Sequence, residues 1–171
     1  TGVRSRAIFI DGRASVSSYR EFPQYFPQPG WVEHDALEIL FAVRKTLSEV
    51  IAQLAALPDA QIATIGITNQ RETVMLWDRR TGAPVGPAIV WQDRRTASIC
   101  ERFKDVEVSN TGLRMDPYFT GTKALWIAEN EPRTWRYVKD GRIALGTIDS
   151  YLIARMSRGL DHVTDATNAS R

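Results

Sequence analysis

A chain of 171 residues is long enough for one ordinary domain and too short for two generous ones. Apolar residues make up 43% and charged residues 25%, proportions that exclude a disordered or fibrous chain. Lys plus Arg number 22 against 20 Asp plus Glu, a net charge of +2, and the arginine doublets Arg79-Arg80 and Arg94-Arg95 are too sparse for a nucleic-acid binder. Cys100 is the single cysteine, which excludes an internal disulfide and a cysteine-built metal cage and fits a reducing, cytoplasmic setting. No apolar run approaches the roughly 20 residues of a membrane helix. The run Ala7-Ile8-Phe9-Ile10 is only strand-length. The chain opens on Thr1 rather than Met, so it reads as processed, trimmed or part of a longer protein.

In chain order, residues 6–10 form a β-leaning run, and Asp11-Gly12 is a strong hairpin signal. The alternating Val16, Tyr19 and Phe22 supply the return strand. Pro23, Pro27 and Pro29 then mark a loop, because proline brings no backbone donor to a sheet. From residue 35 to about 57 the period changes. Leu40, Val43, Leu47, Val50, Ile51 and Leu54 recur every three or four positions, which predicts an amphipathic helix with Asp35 as N-cap and Glu38 three residues on.

Residues 62–68 and 73–77 read as strands, 88–91 as a short apolar run, and 96–103 and 122–129 as helices. Residues 143–145 read as a strand and 147–156 as a helix carrying Asp149 in its first turn. Strands followed by alternating helices and strands predict an α/β layer architecture.

Three segments carry chemistry. Thr68-Asn69-Gln70-Arg71-Glu72-Thr73 places six polar residues between two strand-like runs without the Gly or Pro of a plain turn. Arg71 beside Glu72 joins five donors to a carboxylate acceptor, a pairing that suits a polyol and equally suits a salt-bridged hairpin tip. Trp91, before Gln92-Asp93-Arg94-Arg95, can cover the carbon edge of a small ligand or fill a core. Asp116-Pro117-Tyr118-Phe119-Thr120-Gly121-Thr122-Lys123 is a turn-rich lead into a helix. Its Gly-Thr-Lys is not a P-loop, since the preceding glycine, Gly112, is misplaced and Lys and Thr stand in the wrong order.

Other polar residues take plainer readings. His34 and His162 are unsupported as metal ligands and read as structural or surface residues, and Cys100 reads as a small packed hydrophobe. Asn168-Ala169-Ser170 matches a glycosylation acceptor by pattern alone. Asp149 reads as a negative charge on a helix dipole, and Asp93 as a partner of Arg94 or Arg95.

Asn69-Gln70-Arg71-Glu72-Thr73, Ala88-Ile89-Val90-Trp91-Gln92-Asp93-Arg94-Arg95-Thr96 and the segment from Asp116 to Lys123 resemble, in order and approximate spacing, the FGGY family of carbohydrate kinases, and within it the members that phosphorylate glycerol. Pro29-Gly30-Trp31-Val32-Glu33-His34-Asp35 and Val163-Thr164-Asp165-Ala166-Thr167-Asn168-Ala169-Ser170-Arg171 are similar too, so the resemblance runs over nearly the whole chain.

The resemblance implies an α/β, actin-like or ribonuclease-H-like ATPase fold with a mixed sheet flanked by helices. Residues 1–171 would then be the N-terminal, substrate-side domain of a two-domain kinase. It implies that Arg71 and Glu72 bind polyol hydroxyls, Trp91 lines the carbon face and Tyr118 adds a hydroxyl contact. It implies ATP with Mg2+ in the full-length parent, with ATP phosphates near Thr1, Gly2 and Arg6. The family's opening strand, with its Asp-x-Gly-Thr turn, and its second domain, with the catalytic aspartate, are expected outside this chain. No catalytic residue, metal ligand or kinase activity is therefore expected of residues 1–171 alone. Another FGGY sugar kinase, such as one for xylulose, and a non-catalytic polyol-binding module are the alternatives. A small polyol or sugar is the expected partner, with homo-oligomers of the parent and neither nucleic acid nor membrane.

Overall fold

The computed structural model describes residues 1–106, 112–159 and 161–171, which divide into two compact units. The first comprises residues 1–24 and 35–67. Its strands β1 (Gly2–Ala7) and β2 (Val16–Glu21) form an antiparallel hairpin, in register from Gly2 opposite Glu21 to Ala7 opposite Val16. The predicted strand at 6–10 is thus shifted. Ladder partners end at Ala7, and Ile8 and Ile10 fall in the exposed connection, where the Asp11 carboxylate takes the Arg13 N–H at 3.1 Å.

Helix α1 (Ala36–Ala55) starts where expected, because the Asp35 side chain accepts from the N–H groups of Leu37 (2.6 Å) and Glu38 (3.3 Å). Its buried face is rotated from the apolar stripe toward Ile39, Ala42, Thr46 and Val50, leaving Ile51 exposed. Thr46 can be buried there because its hydroxyl bonds Ala42 O (2.9 Å) and meets the Ser5 hydroxyl of β1 at 2.8 Å. Residues 62–68 form no strand. Among the described residues they pair with no neighbour and are largely exposed, and a strand needs a neighbour to satisfy its backbone groups.

The second unit comprises residues 25–34 and 68–171. Strand β3 (Glu33–His34) pairs antiparallel with β5 (Ala88–Ile89), and β4 (Met75–Asp78) pairs antiparallel with β6 (Ile143–Gly146). A Val74–Ile89 bridge links the two pairs. The described ladders are therefore all antiparallel, where a mixed sheet was expected; the unpaired 62–68 run supplies no further neighbour.

Helices α2 (Ala97–Arg102), α3 (Thr120–Asn130), α4 (Pro132–Lys139), α5 (Ile148–Met156) and the single turn α6 (Ala166–Ala169) complete the unit, with α4 packed on β6 and α5 on β4 and β6. The core of this unit is Val74, Leu76, Ile89, Ile127 and Ile143, with Trp126, Trp135 and Val138 packed against it. Helix α4 escapes the sequence reading. Its Pro132 is a first-turn helix residue rather than a breaker, and Trp135 and Val138, three apart, face the core.

Arg95 organises the start of the strands that follow the proline loop. Its guanidinium lies 3.7 Å from the Trp31 ring centroid and 5.0 Å from that of Trp126. It bonds Glu33 at 2.7 Å and Asp93 at 2.8 Å, while Asp93 also accepts the Val32 N–H at 2.6 Å. Asp93 thus pairs with Arg95. Arg94 turns to Asp116 at 3.2 Å instead.

Candidate polyol site

The polar segment between the strands is a turn of unusual conformation. Arg71 and Glu72 both have positive φ, 53° and 49°, although neither is glycine. Each such residue costs about 1–3 kcal/mol, which the surroundings must hold in place. The holding groups are visible. Thr73 N–H reaches back to Arg71 O, Gln70 Nε2 donates to the Thr73 hydroxyl at 2.9 Å, and Thr120 donates to Glu72 O at 3.3 Å. Trp91 N–H reaches the same Thr73 hydroxyl at 3.3 Å, bringing the end of the β5 segment to this turn.

The turn buries one carboxylate among cations. The Glu72 side chain is fully enclosed, and among the described residues neither of its oxygens has a hydrogen-bond partner. Arg71 Nε stands 4.0 Å away and Arg171 Nε 3.9 Å away, beyond hydrogen-bond distance but close in charge. Tyr118 faces the same carboxylate. Burial first, then the Glu72 charge, push its phenol above the ordinary value. The Tyr118 ring stands 5.5 Å from the Trp91 ring, tilted by 58°, and 5.1 Å from Phe119.

Arg71, Glu72, Trp91 and Tyr118 therefore come together within the second unit. Thr1, Gly2 and Arg6 belong to the first. There Gly2 and Arg6 are residues of the regular strand β1, Thr1 bonds Gln24 at 3.3 Å and Arg6 bonds Ser15 at 2.9 Å.

Arg171 and Thr120 were not singled out from the sequence. Arg171 belongs to the final motif, but nothing local says that the chain after α6 returns to Glu72. Both residues also wall an adjoining cleft of about 340 Å3, shared with Thr147, Thr164 and Asn168. Asn168 donates to Asp165 at 3.1 Å, and its own carbonyl oxygen is buried there without a partner among the described residues.

Asp149 stands in the first turn of α5, as read from the sequence. It is also a buried acceptor for Asn69 (3.0 Å), Thr147 and Thr164 (2.6 Å), tying the segment before Arg71 to the segment before α6. His34 is buried near Gln70, whose amide nitrogen lies 3.5 Å from Nδ1, and desolvation pushes it down to about 4. His162 stacks edge-on against Trp77 at 5.2 Å and takes an Arg79 N–H at 2.7 Å, a structural role as expected.

Residues 1–171 match the FGGY family of carbohydrate kinases, N-terminal domain, from end to end. The chain is 51% identical over 174 residues to the glycerol kinase of Salmonella arizonae, covering 98% of this chain and 34% of that protein. Among solved structures, the Plasmodium falciparum glycerol kinase with ADP superposes with a TM-score of 0.84 at 38% identity, over 91% of this chain and 32% of that one. A ligand-bound xylulose kinase from Lactobacillus acidophilus superposes with a TM-score of 0.81 at 24% identity over 99% of this chain and 34% of that one, a likeness of fold alone. The fold is the actin-like, ribonuclease-H-like ATPase architecture of these sugar kinases, as the motifs implied. The chain spans about a third of the length of the relatives it matches. By a match that covers its whole length, the chain belongs to the FGGY family of carbohydrate kinases.

Proposed function

We propose that this chain is the substrate-binding part of an ATP-dependent glycerol kinase, an enzyme that makes glycerol 3-phosphate and ADP in the cytoplasm. The observation that carries the reading is the enclosed Glu72 carboxylate with no hydrogen-bond partner among the described residues, set between Arg71 and Tyr118. A buried acceptor left unmade is costly, and a bound hydroxyl donor removes that cost. Each glycerol hydroxyl both donates and accepts, so one can donate to Glu72 while another accepts from the Arg71 guanidinium. The Trp91 indole then covers the carbon backbone, and the Tyr118 hydroxyl adds a further polar contact. A site that reads hydroxyls rejects an analogue lacking one far better than an apolar pocket rejects an extra methylene.

Holding two hydroxyls leaves the third as the acceptor of the transferred phosphoryl group, and such orientation lowers the barrier without covalent chemistry from these residues. The base is assigned to the parent protein outside residues 1–171, and ATP phosphates to the neighbourhood of Thr1, Gly2 and Arg6. Among the described residues no three His, Cys, Asp or Glu side chains gather to hold a metal ion.

The test is steady-state kinetics of the full-length protein with ATP and glycerol, xylulose or propane-1,2-diol. Glycerol is expected to be phosphorylated and the diol, which lacks one hydroxyl, to be a poor substrate. Turnover of xylulose without glycerol would move the protein elsewhere in the family. Arg71→Ala and Glu72→Ala are each expected to raise the glycerol KM about ten- to a hundred-fold, the worth of a charged hydrogen bond. A variant with unchanged kinetics would remove that residue from the site.

A further inference from the structure

Lys123 is the one large charged side chain of helix α3 that is fully enclosed. Its ammonium has three N–H donors, and they converge on three successive carbonyls of the preceding loop: Pro117 O at 2.9 Å, Tyr118 O at 2.6 Å and Phe119 O at 3.5 Å. Among the described residues it makes no ion pair; Asp93, Glu72 and Asp116 act on it only at longer range. Burying an ammonium without a contacting carboxylate is costly, and desolvation accordingly pushes it down to about 8. A Met or Leu would fill the same space without that cost.

The carbonyls it gathers belong to the loop that matters. Tyr118 presents its ring to Trp91, its phenol lies within the field of the Glu72 carboxylate, and Thr120, just beyond, anchors on Glu72 O. At the loop's other end, Asp116 accepts the Tyr118 N–H at 2.8 Å and pairs with Arg94. Lys123 is thus the buried staple between these two anchors.

We propose that Lys123 is a positioning residue for the polyol site: its ammonium clamps the 117–119 carbonyls so that Tyr118 is held between Trp91 and Glu72, and it acts on the substrate only through Tyr118. The inference rests on the functional reading above. It is tested in the full-length protein by a cycle of Lys123→Met, Tyr118→Ala and the double variant. Lys123→Met is expected to raise the glycerol KM about five- to thirty-fold while kcat changes less than about threefold. In the Tyr118→Ala background the same substitution is expected to add less than about twofold. An equal penalty with and without Tyr118, or a fall in kcat alone, overturns the proposal.

A second readout needs no turnover. The Tyr118 ring, labelled with 13C and assigned by its loss in Tyr118→Phe, should lose at pH 7 the ring-current shift it takes from Trp91 when Lys123 is replaced by Met. If glycerol is not a substrate, the functional reading falls and this shift alone decides Lys123; a ring as shifted in the variant as in the wild type overturns it. Should Lys123→Met fail to fold, Lys123→Gln, which keeps two N–H donors, takes its place in both measurements. For the wild type itself, protected Nζ protons in the NMR spectrum support the clamp and freely exchanging ones overturn it.

Discussion

Two adjacent left-handed residues that are not glycine, Arg71 and Glu72, direct their side chains to one site from the turn before β4. Backbone strain of this kind persists only where neighbouring groups over-determine it, and here Gln70, Thr73 and Thr120 do so. His34 lies close by and carries a different consequence. Burial holds its folded-state proton affinity at about 4, below its ordinary 6.5. Between those values the unfolded chain binds the extra proton and the folded chain does not, so stability is complete above about pH 6.5 and falls as the pH drops toward 4. Urea unfolding at pH 7.5 and 4.5 should show a loss on acidification that is smaller in His34→Gln. An identical loss in both proteins would show that His34 does not titrate between those limits.

At the scale of elements, the segment preceding α1 and the segment after β5 are joined by one guanidinium. Arg95, stacked on Trp31 and beside Trp126, neutralises a nearly inaccessible Asp93 that also holds the Val32 N–H. Removing one partner of such a pair leaves an uncompensated buried charge, so Arg95→Met is expected to cost about 3–5 kcal/mol in denaturant unfolding. The double replacement Asp93→Asn with Arg95→Met should recover part of that loss, because the orphaned charge goes with it. A cost for Arg95→Met below about 1 kcal/mol would mean that the stacking and ion pairs are incidental. Helix α1 depends instead on local chemistry, the Asp35 cap and a periodic buried face, and for that reason its limits could be read from the chain directly.

For the molecule as a whole, the relatives are about three times as long as this chain, and the proposed division leaves the catalytic base to the rest of the parent. Residues 1–171 alone are therefore expected not to phosphorylate glycerol. Measurable product from ATP and glycerol with this chain would refute the division between substrate binding here and catalysis elsewhere in the parent.

The hairpin at Asp11-Gly12, helix α1, helix α3 and the three polar motifs were legible because each is a local pattern: turn chemistry, apolar period, cap or residue spacing. Residues 62–68 misled for the complementary reason. Their composition favours a strand, but a strand exists only if a neighbour pairs with it, and among the described residues none does. The same limit hid the antiparallel ladders, the role of Asp149 as a hub for Asn69 and Thr164, and the choice of Arg95 over Arg94 by Asp93. By itself the chain's order of residues determined its class and its family, and it nominated Arg71, Glu72, Trp91 and Tyr118 for the candidate site. Only the tertiary structure decided that Arg71 and Glu72 share a strained turn, that Arg171 comes back to them across about a hundred positions, and that Lys123 staples the loop of Tyr118. Those are contacts between groups distant in sequence, set by packing and by the need to satisfy buried polar atoms, and no local pattern encodes them.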